Sequence, residues 1–238
     1  MIGAGSNILA NDKGLNALVI KLGSSCFKEI DFKAKGLTVG AGCMLSRVIS
    51  LSKNKCVSAF ELFAGIPGTI GGALAMNAGV REKNIGDLVE EVQVMDYNGK
   101  IKGLKRKDIK FAYRSSSLAK YIVLSARFRS RSKKRQELEA VVRERLSWRR
   151  DKQELSLPSA GCVFKNPSET ISAGILIDLC GLKGKRIGDA CICPRHANFI
   201  VNMGNASAKH VLMLMRLVKT KVKNKFNIDL QPEIKIWQ

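Results

Sequence analysis

The stretch that decides the fold lies at residues 64–73, which read Ala-Gly-Ile-Pro-Gly-Thr-Ile-Gly-Gly-Ala, and a further glycine follows at Gly79. Packing alone rarely demands so many glycines in so short a span. A glycine lets backbone N–H groups approach an anion without interference from a side chain. We therefore interpret this stretch as a ligand-binding loop in preference to a structural bend.

A second glycine-rich stretch precedes it and reads Gly-Ala-Gly-Ser-Asn at residues 3–7. It lacks the full GxGxxG pattern of dinucleotide-binding loops, so by itself it is equally compatible with an ordinary turn. Both stretches are suited to cradling phosphates, because both expose backbone N–H groups.

Short strand-like and helix-like runs alternate around these loops. Residues 37–42 predict a strand, and residues 44–53 predict the helix that follows it. The pair Asn98-Gly99 predicts a hairpin turn, because an Asn-Gly pair tolerates positive φ. This succession predicts an α+β fold.

The middle of the chain predicts a connection between two domains. Arginines and lysines from Lys133 to Arg150 surround apolar residues that are spaced as on one side of an amphipathic helix. A turn-like stretch at residues 158–161, Pro-Ser-Ala-Gly, opens a second unit. We place the domains at residues 1–131 and 132–238.

The composition is strongly basic, with 41 Lys and Arg against 20 Asp and Glu and a net charge of +21. Such a surplus raises nucleic acid as a partner, although a solvated helix face explains its densest part more simply. The seven cysteines form no CxxC pair, and the only histidines are His196 and His210, so neither a metal site nor a Ser-His-Asp triad is expected. The absence of a long apolar run or a secretory signal predicts a cytoplasmic protein without membrane spans.

Three positions carry candidate chemistry, each with a structural alternative. Arg114, beside Tyr113 and a run of serines, suits a bidentate grip on a carboxylate, but without other motifs that point the same way a surface arginine at a strand end is the preferred interpretation. Cys162 is either a buried small hydrophobe or an acid. Glu233 follows Pro232 and is either a surface residue or a site carboxylate.

Taken in chain order, seven strings resemble the UDP-N-acetylenolpyruvoylglucosamine reductase family: GAGSN, AGIPGTIGGALAMNAG, YRSSS, PSAGCVFKNP, GKRIGDA, RHANFIVN and QPEIKI. They span essentially the whole chain in the family's order, which makes the resemblance specific. It implies an FAD-binding domain of the vanillyl-alcohol-oxidase (PCMH) type, followed by a smaller α+β substrate-binding domain. It also implies that FAD and NADPH serve to reduce the enolpyruvyl group of a UDP-sugar to UDP-N-acetylmuramate in peptidoglycan precursor synthesis.

The resemblance implies a role for each matching residue. Arg114 would neutralise the substrate carboxylate, Cys162 would donate the proton to the α carbon, and Glu233 matches the family's late glutamate. Many members carry serine at the Cys162 position, and a thiol, with a pKa of about 8.5, is the stronger acid. The implied FAD contacts are Gly3, Gly5, Ser6, Asn7, Gly68, Thr69, Gly71, Gly72 and Asn77. The implied substrate contacts are Tyr113 and Asn166.

The sequence departs from the family pattern in two places. Members normally carry a βαβ segment before GAGSN, so we expect an FAD-binding domain without its first βαβ segment. The short distance from Arg114 to the next strand predicts the subclass that lacks a tyrosine-bearing insertion. Two rival hypotheses remain: an inactive flavoprotein scaffold that binds nucleic acid, and another oxidoreductase of the same flavin fold. The phosphates of FAD, NADPH and the UDP-sugar account for the basic surplus without nucleic acid, and the oligomeric state is not predicted.

Overall fold

A computed structural model gives the structure of residues 1–33 and 36–238, and the chain divides into two compact units. The first unit contains Met1–Ala4 and Val19–Arg149, and the second contains Gly5–Leu18 and Arg150–Gln238. The chain therefore leaves the first unit after Ala4 and returns to it at Val19.

The structure contains strands, α-helices and short 3₁₀ helices. The strands are β1 (Ile8–Ala10), β2 (Ile30–Lys33), β3 (Gly36–Gly40), β4 (Val57–Ser58), β5 (Val89–Met95), β6 (Ile101–Lys105), β7 (Phe111–Ala112), β8 (Ser115–Ser116), β9 (Ile122–Phe128), β10 (Arg131–Ser132), β11 (Ser159–Cys162), β12 (Arg186–Ile187), β13 (Ala190–Ile192), β14 (Phe199–Asn202) and β15 (Lys235–Trp237). The α-helices are α1 (Leu45–Asn54), α2 (Ile70–Ala75), α3 (Arg135–Lys152), α4 (Ala173–Leu179) and α5 (Ala208–Phe226). The 3₁₀ helices are Ser25–Lys28, Glu61–Phe63, Ile85–Asp87, Arg106–Asp108 and Ser117–Lys120. Among the described residues, none of these helices combines the length and apolarity that crossing a membrane requires.

The first unit is built on a five-stranded antiparallel sheet in the order β2-β3-β9-β5-β6. One side of α1 is buried against the core through Leu45, Val48 and Ile49, which follow the helical spacing. The rings of Phe60 and Phe128 meet edge to face, with centroids 4.9 Å apart. The strand and helix predicted over residues 37–42 and 44–53 are thereby confirmed as β3 and α1.

The predicted hairpin at Asn98-Gly99 is confirmed, because β5 and β6 pair in antiparallel fashion around it. The turn differs from the expected Asn-Gly form, since Gly99 has φ of 84° and Asn98 does not have positive φ. The side chain of Asp96 stabilises the turn instead, because it accepts hydrogen bonds from the N–H groups of Asn98 and Lys100, each at 3.0 Å.

Helix α3 confirms the basic helix, but most of it belongs to the first unit rather than to the second domain. Val142 packs against the core cluster of that unit, and the Arg149 Nε donates to the carbonyl of Ala64 at 3.0 Å. Arg145 forms an ion pair with Glu82 at 2.8 Å. These contacts attach most of the helix to the preceding sheet, and the first compact unit extends to Arg149.

The second unit contains an antiparallel sheet in the order β11-β14-β13-β12 and a parallel pair, β1 with β15. Helix α5 packs on it through Leu214, Val218 and Val222. The N-terminus of α5 is capped by Ser207, whose Oγ accepts from the His210 N–H at 3.1 Å. The segment that carries β1 is thus part of the second unit, although it comes from the start of the chain.

Candidate active site

The first unit contains a cavity of about 470 Å³ that is lined by four of the predicted cofactor residues, Gly3, Thr69, Gly71 and Gly72. Two cationic side chains, Lys21 and Lys28, line it as well. Its apolar lining comes from residues that include Leu22, Met44, Leu118, Tyr121 and Val123. Apolar walls with two ammonium groups suit a ligand that joins a flat ring system to a pyrophosphate. The residues present therefore fit FAD.

The two glycine-rich loops lie against each other beside this cavity. A Cβ atom on Gly3 would lie 2.6 Å from the Thr69 Oγ1, which leaves no room for a side chain. Thr69 precedes α2, and its Oγ1 accepts a hydrogen bond from the Gly72 N–H at 3.3 Å. The Gly71 N–H donates to the Ala41 carbonyl at 2.9 Å. These close contacts explain why the loops need glycine.

Two further predicted cofactor residues of the first unit, Gly68 and Asn77, do not line the cavity. Asn77 is only 5% exposed. Its Oδ1 accepts from the Gly86 N–H at 3.1 Å, and its Nδ2 donates to the Ala112 carbonyl at 3.0 Å. The amide therefore fastens β7, the strand that leads to Arg114, and its predicted FAD contact gains no support from the cavity.

Arg114 lies in the two-residue turn between β7 and β8. Its φ is 53°, which a non-glycine residue adopts at a cost of about 1–3 kcal/mol. The Nη1 donates to the Gly79 carbonyl at 3.3 Å, and the guanidinium carbon lies 5.2 Å from the centroid of the Tyr113 ring. The turn thus holds a cation beside a half-exposed aromatic ring, and the role of Arg114 at a carboxylate stays a prediction.

The other three predicted cofactor residues, Gly5, Ser6 and Asn7, belong to the second unit. Asn7 is bonded to the segment that carries Glu233: its Nδ2 donates to the Glu233 carbonyl at 3.2 Å, and its own carbonyl accepts from the Lys235 N–H at 2.9 Å. The end of the loop therefore helps to hold Glu233. The FAD contacts of these three residues stay predictions.

Cys162 ends β11 opposite Phe199 of β14. The register of this pair shifts between Ser159 and Cys162, and Gly161 within the shift has φ of 78°. Such a bulge bends the strand and changes the direction of the side chain that follows it. The Cys162 side chain is half-buried beside the apolar cluster of Cys191, Cys193, Phe199 and Val201.

Glu233 lies next to the strand segment that follows Cys162. Its N–H donates to the carbonyl of Val163 at 2.8 Å, and its neighbour Pro232 forms an isolated antiparallel bridge with Phe164. The structure thus brings two of the predicted catalytic residues onto adjacent main-chain segments of one unit, although they lie 71 positions apart in the sequence.

Asn166, a predicted substrate contact, lies in the same segment. Its Oδ1 accepts from the Ala173 N–H at 3.1 Å and so holds the loop to the start of α4. One important neighbour was missed from the sequence: Asn198 is 3% exposed and bonds Phe164 through its side chain. In the sequence, the only indication of its role is that it is a polar residue directly before the apolar run at residues 199–201. Lys21 and Lys28 of the cavity had no sequence signal of their own.

The His196 side chain packs against an aromatic ring of the second unit. Its ring meets that of Phe199 edge to face, with centroids 4.7 Å apart. Burial lowers the pKa of His196, with a smaller contribution from the positive charge of Lys183, and favours the neutral ring. Within residues 1–33 and 36–238, no group of three or more His, Cys, Asp or Glu side chains is placed to hold a metal ion.

Comparisons with known proteins agree with this geometry. One family, described as an FAD binding domain, matches residues 1–105, and another, described as the UDP-N-acetylenolpyruvoylglucosamine reductase C-terminal domain, matches residues 153–237. The UDP-N-acetylenolpyruvoylglucosamine reductase from Chloroherpeton thalassium is 42% identical, and the alignment covers 99% of this chain and 78% of that protein. The reductase of the same name from Heliobacterium modesticaldum is 40% identical, and the alignment covers 99% of this chain and 76% of that protein. This chain belongs to the UDP-N-acetylenolpyruvoylglucosamine reductase family.

The solved structures agree with this assignment. The crystal structure of UDP-N-acetylenolpyruvylglucosamine reductase (MurB) from Thermus caldophilus superposes with a TM-score of 0.87 at 36% identity, covering 100% of this chain and 84% of that one. The family resemblance and the α+β fold, with an FAD-binding domain in front of the reductase's C-terminal domain, are therefore confirmed. Neither family match covers α3, so the boundary at residue 131 stays a prediction.

Proposed function

We propose that this chain is the FAD-dependent reductase that converts UDP-N-acetylglucosamine enolpyruvate to UDP-N-acetylmuramate in peptidoglycan precursor synthesis, with NADPH as the hydride source. Family membership supports the reaction. One observation supports the assignment of the reaction to particular residues. The Glu233 N–H donates a hydrogen bond to the carbonyl of Val163, the residue after Cys162. FAD held by the first unit would supply the hydride-transfer chemistry between NADPH and the β carbon of the enolpyruvyl group.

The first unit would hold the cofactor through the cavity around Gly3 and Thr69. Lys21 and Lys28 lie in its lining and supply positive charge for the pyrophosphate. The glycines at positions 71 and 72 expose main chain where a side chain would fill the space.

Arg114 would act on the substrate carboxylate. Hydride delivery to the β carbon leaves negative charge on the α carbon and the attached carboxylate, and a fixed cation stabilises that charge most when it is oriented in advance. The turn, with its bond to Gly79, provides this orientation. Tyr113, whose ring lies beside the guanidinium, is the adjacent substrate contact in this proposal.

Cys162 would supply the proton that completes the reaction at the α carbon. A thiol is mostly protonated at neutral pH because its usual pKa is about 8.5. Glu233 would act at the carboxylate end of the same group, and Asn166 would contact the uridine diphosphate half. A cytoplasmic location remains our expectation, since NADPH and nucleotide sugars are the substrates proposed.

The test separates the two half-reactions. The purified chain is incubated with FAD, gel-filtered, and examined for flavin absorbance; the flavin-loaded enzyme is then reduced anaerobically with NADPH and mixed with the enolpyruvyl substrate in a stopped-flow instrument. We expect bleaching by NADPH and recovery of the absorbance with substrate. Reduction by NADPH without recovery would favour another oxidoreductase of this fold. A colourless protein that binds nucleic acid with a steep salt dependence would favour the scaffold hypothesis.

A further inference from the structure

The buried amide of Asn198 forms a clamp on the segment that carries Cys162. Its Oδ1 accepts from the Phe164 N–H at 3.0 Å, and its Nδ2 donates to the Phe164 carbonyl at 2.8 Å. In addition, the Val163 N–H donates to the main-chain carbonyl of Asn198 at 2.8 Å. A single residue thus bonds two consecutive residues directly after Cys162.

The clamp supplies hydrogen bonds to the main chain beyond Cys162, where the pairing of β11 with β14 ends. The bulge between Ser159 and Cys162 interrupts the pairing of β11 with β14, and β11 ends at Cys162. Beyond that point, the amide of Asn198 takes the place of a partner strand for Phe164. Without the amide, both main-chain groups of Phe164 would lack these partners in a buried place, where unpaired groups are costly.

The clamp also reaches Glu233. The Val163 carbonyl accepts the Glu233 N–H at 2.8 Å. The bond from the Val163 N–H to Asn198 is a main-chain bond, so the Asn198 side chain acts on Val163 through the next residue, Phe164. The main chains of Cys162 and Glu233 are therefore coupled through Val163. Any shift of Val163 would change the position of both side chains.

We propose that Asn198 is a positioning residue for the protonation step, because it sets the placement of Cys162 relative to Glu233 without contacting the substrate. This inference rests on the proposed roles of those two residues. Misplacement of a reacting group by about 1 Å can cost on the order of 100-fold in rate. Loss of the clamp should therefore slow the step that uses Cys162 and spare the step that does not.

The experiment compares Asn198→Ala with a matched control, Asn202→Ala, in the flavin-loaded full chain. Asn202 ends β14, the strand that begins directly after Asn198, and its Oδ1 accepts from the N–H groups of Gly204 and Ala206, each at 2.9 Å. The control thus also removes two side-chain bonds to main chain. We expect Asn198→Ala to slow flavin reoxidation by the enolpyruvyl substrate by about 10- to 100-fold while NADPH still reduces the flavin at the normal rate. The control should leave both rates within about twofold of wild type.

A second readout does not depend on turnover. Iodoacetamide alkylation of the Cys162 peptide, followed by mass spectrometry across pH, reports the exposure and titration of that thiol in the folded enzyme. Asn198→Ala should change the rate or the pH midpoint of this alkylation, and Asn202→Ala should not. If Asn198→Ala is insoluble, Asn198→Asp, which keeps the size and one acceptor, is measured in the same way.

Two outcomes would overturn the proposal: an equal loss in both half-reactions, or unchanged Cys162 alkylation together with normal reoxidation. If Cys162→Ala proves as active as wild type, the role of Cys162 in the proposed function fails instead. The alkylation comparison between the Asn198 and Asn202 variants still decides whether Asn198 positions the thiol.

Discussion

Arg114 of the first unit lies in a two-residue hairpin turn with positive φ, whereas Cys162 and Glu233 of the second unit lie on main-chain segments joined by hydrogen bonds. Both arrangements depend on a buried asparagine. Asn77 bonds Ala112 ahead of the turn, and Asn198 bonds Phe164 after the bulge. In each unit, therefore, a buried asparagine side chain bonds the main chain next to a predicted catalytic residue: it supports a strained turn in the first unit and a strand segment in the second.

The difference follows from what each group has to do. A cation stabilises developing charge through a long and adjustable side chain, and its effect declines gradually with distance. A proton donor must come within about 2.6–3.2 Å of its acceptor, directly or through one water. A short thiol side chain cannot correct a main-chain error, so Cys162 needs the more constrained surroundings.

Replacement of the proposed proton donor, Cys162, should have the largest effect and tests the difference between the two units most directly. Cys162→Ala should slow reoxidation of the flavin by substrate by about 10²- to 10⁴-fold, the range for a general acid, and leave reduction by NADPH intact. Cys162→Ser should restore part of the rate, since the site needs a positioned proton rather than a nucleophile. Stopped-flow absorbance measures both steps.

The control for this prediction is Cys193→Ala, because Cys193 belongs to the same apolar cluster and is buried. It should cost some stability and leave both half-reactions close to wild type. A Cys162→Ala variant that turns over at the wild-type rate would show that Cys162 is a structural cysteine only.

Removal of the cation in the first unit should have the next largest effect. Arg114→Ala should reduce the substrate half-reaction by about 10²- to 10³-fold, the usual loss for a group that stabilises developing charge. Arg114→Lys should recover only part of it, because an ammonium cannot grip a carboxylate in bidentate fashion. The same stopped-flow experiment gives both values. Equal losses in flavin reduction and reoxidation would instead mean that Arg114 supports the fold or the flavin.

The contact between the two glycine loops of the first unit can be broken by a single methyl group. Gly3→Ala places a Cβ at 2.6 Å from the Thr69 Oγ1, so either the loop or the Thr69 side chain, which bonds the Gly72 N–H, must shift in the cavity wall. We expect FAD affinity to fall by about tenfold, which corresponds to about 1.4 kcal/mol. Fluorescence titration of free FAD measures this affinity. Gly23→Ala, where the added atom meets nothing closer than 4.0 Å, is the matched control and should bind normally; equal affinities in both variants would contradict the role of Gly3.

The features that the sequence predicted well are local ones. The Asn98-Gly99 turn, α1 and α3 depend on neighbouring residues, and all are present. The features that it missed depend on distant pairing: Asn7 bonds Glu233 from 226 positions away, and Asn198 bonds Phe164 across 34. An asparagine in the sequence carries no mark of which main-chain groups its amide will meet. For this reason the catalytic residues could be proposed from the order of the strings, but the residues that hold them could not.

The same limit applies to the boundary of the units. The sequence of α3 predicts an amphipathic helix, but it does not say which sheet the apolar side will meet. The packing of Val142 and the bond from Arg149 to Ala64 attach it to the first unit. Likewise, residues 5–18 joined the second unit because β1 pairs with β15, a partner at the opposite end of the chain.

The smallest effect concerns His196, which lies two residues before Asn198. Burial lowers its pKa in the folded state below the usual value of about 6.5, and Lys183 adds a smaller shift in the same direction. Above pH 6.5 the imidazole is neutral in both the folded and the unfolded chain, and its contribution to stability is fully present. As the pH falls through 6.5 the unfolded chain takes up the proton first, so the free energy of unfolding decreases until the folded pKa is reached.

His196→Gln should therefore flatten the pH dependence of stability just below pH 6.5, as measured by urea unfolding at closely spaced pH values. The slope removed cannot exceed that of one proton, about 1.4 kcal/mol per pH unit. Glu82 does not interfere, because the hydrogen bond from Arg145 lowers its pKa, and its contribution is lost only at pH values below the usual carboxyl range. An unchanged slope in the variant would mean that His196 is protonated as readily in the folded chain as in the unfolded chain. The ring packed against Phe199 would then contribute to the second unit through its shape alone.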